Sequence, residues 1–187
     1  MTRDVGYRIE HLKRLHRVIR QHDDLIVEAL KKDMAKPKLE AYASEISLVL
    51  NEIGYALRKL PSWVKPTRVM TARPLLPSLC YTIPEPLGSV LILAPWNYPF
   101  QLALAPLVGA LAAGNCAVIK PSELAPATSE VIAALLEQHF DSRPIHVVTG
   151  GPKIASKLLA QRFDHIFFTG SVRVGKLVME AASHNLT

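Results

Sequence analysis

The sequence is short of the features that make several function classes easy to assign. It has two cysteines, Cys80 and Cys116, in 187 residues. Two are too few for a disulfide framework, and their spacing matches no thiol–disulfide motif, which argues against a secreted scaffold and a redox protein. No apolar run reaches the roughly 18 uninterrupted residues of a membrane span; the richest, Phe100–Ala113, is shorter and contains Ala and Gly. The opening MTRDVGYRIEHLKRL has no apolar core, so no signal peptide is expected, and the cytoplasm is the expected compartment. His11, His16 and His22 lie on one charged helical region without ligand spacing, and the other histidines are scattered, so no metal site is expected. Gly-x-Gly-x-x-Gly is also missing after the first strand of the α/β part, where PWNYPF stands instead.

What is present is ordinary for a globular protein, with 49% hydrophobic and 20% charged residues. The net charge of +6 raises the question of nucleic acid. The excess is confined to residues 1–73, which hold 15 Lys/Arg against 9 Asp/Glu, whereas residues 74–187 hold 7 against 7. The basic residues are interleaved with acids along helices, without aromatic interleaving, so a solvated face is expected rather than a phosphate-binding stripe.

Residues 3–34 are predicted to be helical, with Ile9, Leu12, Leu15 and Ile19 on one face and a restart at Asp23-Asp24. A second long helix is predicted from Leu39, with Ile46, Val49, Leu50, Ile53, Leu57 and Leu60 on one face, ended by Pro61 and Pro66. Four prolines between 61 and 78 read as a linker or extended segment. Leu79–Ile83 reads as a short strand outside the main sheet. An α/β rhythm follows: strands at Ser89–Leu93, Cys116–Ile119, Ile145–Val148 and His165–Phe168 alternate with helices. This is an α/β, doubly wound, mostly parallel arrangement, preceded by a helical segment and a short β element. The expected divisions are residues 1–78, 79–87 and 88–187. The chain is expected to stop before the sheet's last strand.

Three stretches at strand ends carry candidate chemistry. In TGSVRVG, Gly170 and Ser171 open a helix, with Val174 and Gly175 in its first turn. Such a helix start suits an anion like pyrophosphate, although a plain turn and cap explains the same residues. In KPSE, Lys120 and Glu123 sit where ribose hydroxyls are recognised in dinucleotide folds, but they also read as a surface ion pair. In PWNYP, Asn97 is held between prolines after a strand, where its amide could donate to a developing oxyanion. On position alone, a turn asparagine bonded to local backbone is the simpler account.

Taken together, APWNYPFQLALAPLVGALAAGNCAVIKPSE and FDHIFFTGSVRVGK resemble the aldehyde dehydrogenase family over the whole chain. YRIEHLKRLHRVIRQHDDLIVEAL and LVLNEIGYALRKLPSWVKP resemble its class-3 branch. The resemblance implies an incomplete Rossmann-like NAD-binding domain. It implies Asn97 as the side-chain donor of the oxyanion hole and Trp96 as part of the cofactor site. Lys120 and Glu123 would hold the adenosine ribose, and Gly170 and Ser171 would meet the pyrophosphate, with Val174 and Gly175 in the same motif. NAD is the expected cofactor and NADP a possible one, because Glu123 would repel a 2′-phosphate. The implied reaction oxidises an aldehyde through a cysteine thiohemiacetal, hydride transfer and hydrolysis, in a homodimer with LCYTI in an intersubunit sheet.

The sequence departs from the family in one respect. The Glu-Leu-Gly-Gly motif of the general base and the later motif of the nucleophilic cysteine are not in these 187 residues. Cys116 is expected inside a buried strand as a small hydrophobe, and Cys80 lies in the LCYTI strand. The polypeptide alone is therefore expected to be inactive. The rival expectation is a non-catalytic module that binds a dinucleotide or a partner chain.

Overall fold

In the computed structural model, which describes residues 2–187, the N-terminal apolar stripes form a layer of helices. Helix α1 (Val5–Gln21) starts at Asp4, whose carboxylate accepts from the Tyr7 amide at 2.7 Å and so satisfies a donor the first turn cannot. Helix α2 (Asp23–Met34) restarts after His22 with Asp23 and Asp24 in its first turn, where the positive end of the helix favours acids. Helix α3 (Lys38–Ala41) continues through a π-helical turn, Tyr42–Ile46, into helix α4 (Ser47–Trp63). Pro61 does not end α4, which runs on to Trp63. A proline this close to the C-terminus forfeits a single helical bond, and its ring points into solvent.

Residues 61–78 are more than a linker. Strand β1 (Thr67–Val69) pairs antiparallel with β2 (Cys80–Thr82), Arg68 opposite Tyr81, and a short 3-10 turn, Arg73–Leu75, lies between them. All three residues of β1 are exposed, so no alternation marks it in the sequence. Its partner strand defines it.

The main sheet has four parallel strands, β3 (Ser89–Leu93), β4 (Cys116–Lys120), β5 (Ile145–Val147) and β6 (His165–Phe168), in the order β5-β4-β3-β6. Helices α5 (Gln101–Ala113), α6 (Pro126–His139), α7 (Pro152–Leu159) and α8 (Val172–Ser183) alternate with them. The chain winds outward from β3 to β5, then returns past β3 to lay down β6. The winding direction reverses between β3 and β6, the place where open α/β sheets bind ligands beyond the strand ends.

Alternation divides β3 between two cores. Val90 and Ile92 join Leu12, Leu15, Ile19, Ile46, Ile53 and Leu107 in one continuous cluster, so the N-terminal helices and the sheet share a core. Leu91 and Leu93 face the other way, onto Phe163 and Val178. This second layer is thin. Helix α7 buries no residue fully, and α8 buries Val178 and Ala182. Cys116 opens β4 on this thin side and is half-buried, not enclosed within a buried strand. Strand β6 forms an edge, with His165 and Phe167 exposed.

Candidate functional site

Leu93 ends the strand from which the site is built. Lys120 lies opposite it on β4, and Phe168 opposite it on β6. The Ala94 amide donates to the Lys120 carbonyl at 3.1 Å, and the Thr169 amide donates to the Leu93 carbonyl at 3.1 Å. With strands about 4.8 Å apart, the ends of β4 and β6 are about 10 Å from one another. KPSE and FTGS therefore leave the same edge of the sheet, with the PWN loop between them.

On the β4 side, Lys120 is buried and donates from Nζ to Glu123 Oε2 at 2.6 Å and to the Pro121 carbonyl at 3.1 Å. Burial pushes the Glu123 carboxyl up, but the Lys120 hydrogen bond, a backbone hydrogen bond and the Lys120 charge together outweigh it. The net shift is downward, so Glu123 is held ionised. The pair presents an acceptor at the surface, backed by a cation beneath it.

On the β6 side, Ser171 is the N-cap of α8, its hydroxyl accepting from the Val174 amide at a long 3.4 Å. Ser171, Val172, Arg173 and Val174 are exposed, so the start of α8 is open to solvent. A Cβ on Gly170 would lie 2.5 Å from Phe168 Cζ, and one on Gly175 would lie 3.4 Å from Phe168 Cε1. A side chain at position 170 would thus require the Phe168 ring to move.

Between these corners, Trp96, Asn97 and Tyr98 are exposed while Pro99 and Phe100 are buried. The main chain of this loop is held from below. Lys36 donates to the Asn97 carbonyl at 3.2 Å and lies 4.1 Å from the Tyr98 ring centroid. Glu45 accepts from the Phe100 amide at 2.8 Å and from the Gln101 amide at 3.2 Å, capping α5. Lys36 and Glu45 were not among the sequence-predicted residues. The available signal was a glutamate interrupting the apolar stripe beside Ile46 and Val49.

The structure gathers Trp96, Asn97, Lys120, Glu123, Gly170 and Ser171 at one sheet edge. Cys116 pairs with Ser89 at the other end of the strands, four residues from Lys120, or about 13 Å at the rise of a strand. Cys80 lies in the separate ribbon. A cleft of about 500 Å³ opens between α5 and β6, lined by Val90, Leu102, Pro106, His165 and Phe167 among others. None of the sequence-predicted site residues lines it. Among the described residues no group of three or more His, Cys, Asp or Glu could hold a metal ion, and no helix is long and apolar enough to cross a membrane.

The aldehyde dehydrogenase family model matches residues 2–187. The chain belongs to the aldehyde dehydrogenase family. It is 47% identical over 186 residues to aldehyde dehydrogenase family 3 member B1 of Bos taurus, covering 100% of this chain and 40% of that protein. It superposes on the substrate-bound state of Staphylococcus aureus AldH with a TM-score of 0.98 and 47% identity, covering 100% of this chain and 41% of that one. Succinic semialdehyde dehydrogenase from Streptococcus pyogenes, solved in complex with NADP+, matches with a TM-score of 0.84 and 25% identity, covering 99% and 41%. The chain thus spans about two fifths of the length of these relatives. The family membership and the α/β fold agree with the sequence resemblance, and the family 3 relative agrees with its class-3 character.

Proposed function

We propose that this chain is the nucleotide-binding portion of an enzyme that oxidises aldehydes to carboxylic acids through a cysteine thiohemiacetal. The observation that carries this reading is the placement of Lys120–Glu123 and Ser171 on either side of Leu93 at one sheet edge. The residues fit a dinucleotide. Glu123 offers a charged acceptor, and Lys120 a donor, to a ribose on the β4 side. The exposed start of α8 at Ser171, Val172 and Arg173, with Val174 and Gly175 in the same motif, suits a pyrophosphate on the β6 side. Trp96 would line the cofactor site. NAD, when bound, would accept the hydride, and NADP is the second candidate because Glu123 opposes a 2′-phosphate.

Asn97 is assigned the oxyanion role. Its side chain is exposed at the switch point, and its loop is fixed through the main chain, which leaves the amide free to donate. The nucleophile and general base belong to motifs outside these residues. Both cysteines lie away from Asn97, so the 187-residue polypeptide by itself is inactive in this reading. The exposed β1–β2 ribbon would extend an intersubunit sheet in a homodimer, and the enzyme is placed in the cytoplasm.

The test is a titration of the chain with NAD. Glu123→Gln is expected to raise Kd about tenfold, the order of one hydrogen bond to a charged group, and to narrow the preference for NAD over NADP. An unchanged Kd and preference would overturn the assignment. NADH formation from aldehyde by the polypeptide alone would overturn its inactivity.

A further inference from the structure

Lys36 and Glu45 are buried charges that nucleotide binding leaves without a task. Lys36 is 6% exposed and Glu45 0% exposed, with Nζ 2.5 Å from Oε1. Burying two charges costs several kcal/mol per ion, and such a pair often contributes little net stability over an apolar replacement. The cost calls for another explanation, and the remaining contacts of the pair supply one. Each falls on residues 97–101: Lys36 on the Asn97 carbonyl and the Tyr98 ring, Glu45 on the Phe100 and Gln101 amides. Among the described residues nothing comparable holds Trp96, and the Asn97 side chain stays exposed.

The local backbone supports the same reading. Glu45 lies on the π-helical turn Tyr42–Ile46 between α3 and α4. An isolated π turn is unfavourable within an α-helix and tends to occur at functional sites. Here it places a carboxylate, on an otherwise apolar helix face, beneath the first amides of α5.

We propose that Lys36 and Glu45 are positioning residues for Asn97, setting the height and orientation of its loop through the main chain. The proposal rests on the assignment of Asn97 as the oxyanion-hole donor. Such a donor works only if it is fixed before charge develops, since any reorientation must otherwise be supplied during the reaction. A displacement of about 1 Å at a reacting centre can cost about 100-fold in rate. Lys36 pins the carbonyl of Asn97 itself, while Glu45 holds both Lys36 and the start of α5. The loop is clamped on both sides of Pro99.

The experiment is a double-mutant cycle in the natural protein at its full length, reading kcat and KM at saturating aldehyde. Asn97→Ala is expected to lower kcat by about 100-fold or more. Lys36→Met is expected to lower kcat about tenfold or more while KM for the nucleotide stays within about twofold. In the Asn97→Ala background, Lys36→Met should cost less than about twofold further, because its effect passes through Asn97. Lys36→Gln retains a neutral donor and should recover part of kcat. Wild-type kcat in Asn97→Ala would remove the oxyanion assignment, and this proposal with it. A large loss in Asn97→Ala with wild-type kcat in Lys36→Met, or with a Lys36→Met loss undiminished in the double variant, would overturn the positioning role alone. Should Lys36→Met fail to fold, Lys36→Gln takes its place in the cycle, and a loss that vanishes or persists in the Asn97→Ala background decides the positioning role in the same way.

Discussion

Gly170→Ala separates a packing account of the FTGS corner from a ligand account. The new Cβ would lie 2.5 Å from Phe168 Cζ and 3.0 Å from Cε2. Carbon atoms rest about 3.5–4.0 Å apart, so the overlap is about 1 Å. Overpacking of this kind costs about 1–3 kcal/mol. Phe168 is half-buried at a sheet edge and its ring has room to turn, which places the cost at about 1 kcal/mol. For a chain of this size, that lowers Tm by roughly 2–4 °C. Urea and thermal unfolding of Gly170→Ala, Phe168→Leu and the double variant measure the coupling. The double variant should be more stable than the sum of the singles by about 1 kcal/mol; additivity within about 0.5 kcal/mol would refute the packing reasoning.

NAD titration of the same double variant then isolates the ligand's share. If the glycine is also needed for close approach of the pyrophosphate to the α8 amides, the double variant recovers stability without recovering affinity. Recovery of both would show that Gly170 serves Phe168 alone.

Two further substitutions test contacts that hold the scaffold, one beside the site and one where the strands begin. Asp33 accepts from the Ala127 amide at 3.1 Å and the Thr128 amide at 2.7 Å, so Asp33→Ala should cost about 0.5–2 kcal/mol in urea unfolding, the range of a lost helix cap. Asp164 accepts from the Ser89 amide at 2.7 Å and its hydroxyl at 3.0 Å, and these bonds, the amide's first, hold its carboxyl below the ordinary 3.8. The unfolded chain then binds the proton more readily; the contribution is complete above the unfolded value and lost as pH falls through the folded one. Asp164→Asn should flatten the urea midpoint against pH below about 5, and an undiminished acid slope in that variant would refute the assignment.

The elements that could be read from the sequence are those whose periodicity is imposed by a large core. Leu12, Leu15 and Ile19, or Val90 through Leu93, are spaced by the surface they bury, so their helix and strands were legible with bounds close to those observed. Strand β1 was not legible, because three exposed residues carry no alternation and take their conformation from Cys80–Thr82. The π turn at Tyr42–Ile46 was hidden for a related reason: the apolar face continues through it, and the buried carboxylate it carries bonds an amide 55 residues away. Local patterns record which face is inside. They do not record which distant backbone groups need a partner.

The same limit governs the two asparagines of the central unit. Asn115 and Asn97 both follow the end of a regular element, and both suit a turn. Asn115 is buried, and its side-chain oxygen accepts from the Gly88 amide at 2.9 Å, closing the backbone where the strands begin. Asp164 performs the matching task for Ser89. At the opposite edge, Lys36 and Glu45 bond the main chain of the Asn97 loop, and the Asn97 side chain stands exposed. Polar side chains where the strands start are spent on backbone, whereas Asn97, Glu123 and Trp96 stand exposed where the strands end. A parallel sheet makes this asymmetry possible, because every strand delivers its following loop to one edge. Beneath the exposed Asn97 side chain, the main chain of its loop thus rests on two buried groups, Lys36 and Glu45, that no local pattern in the sequence connects to it.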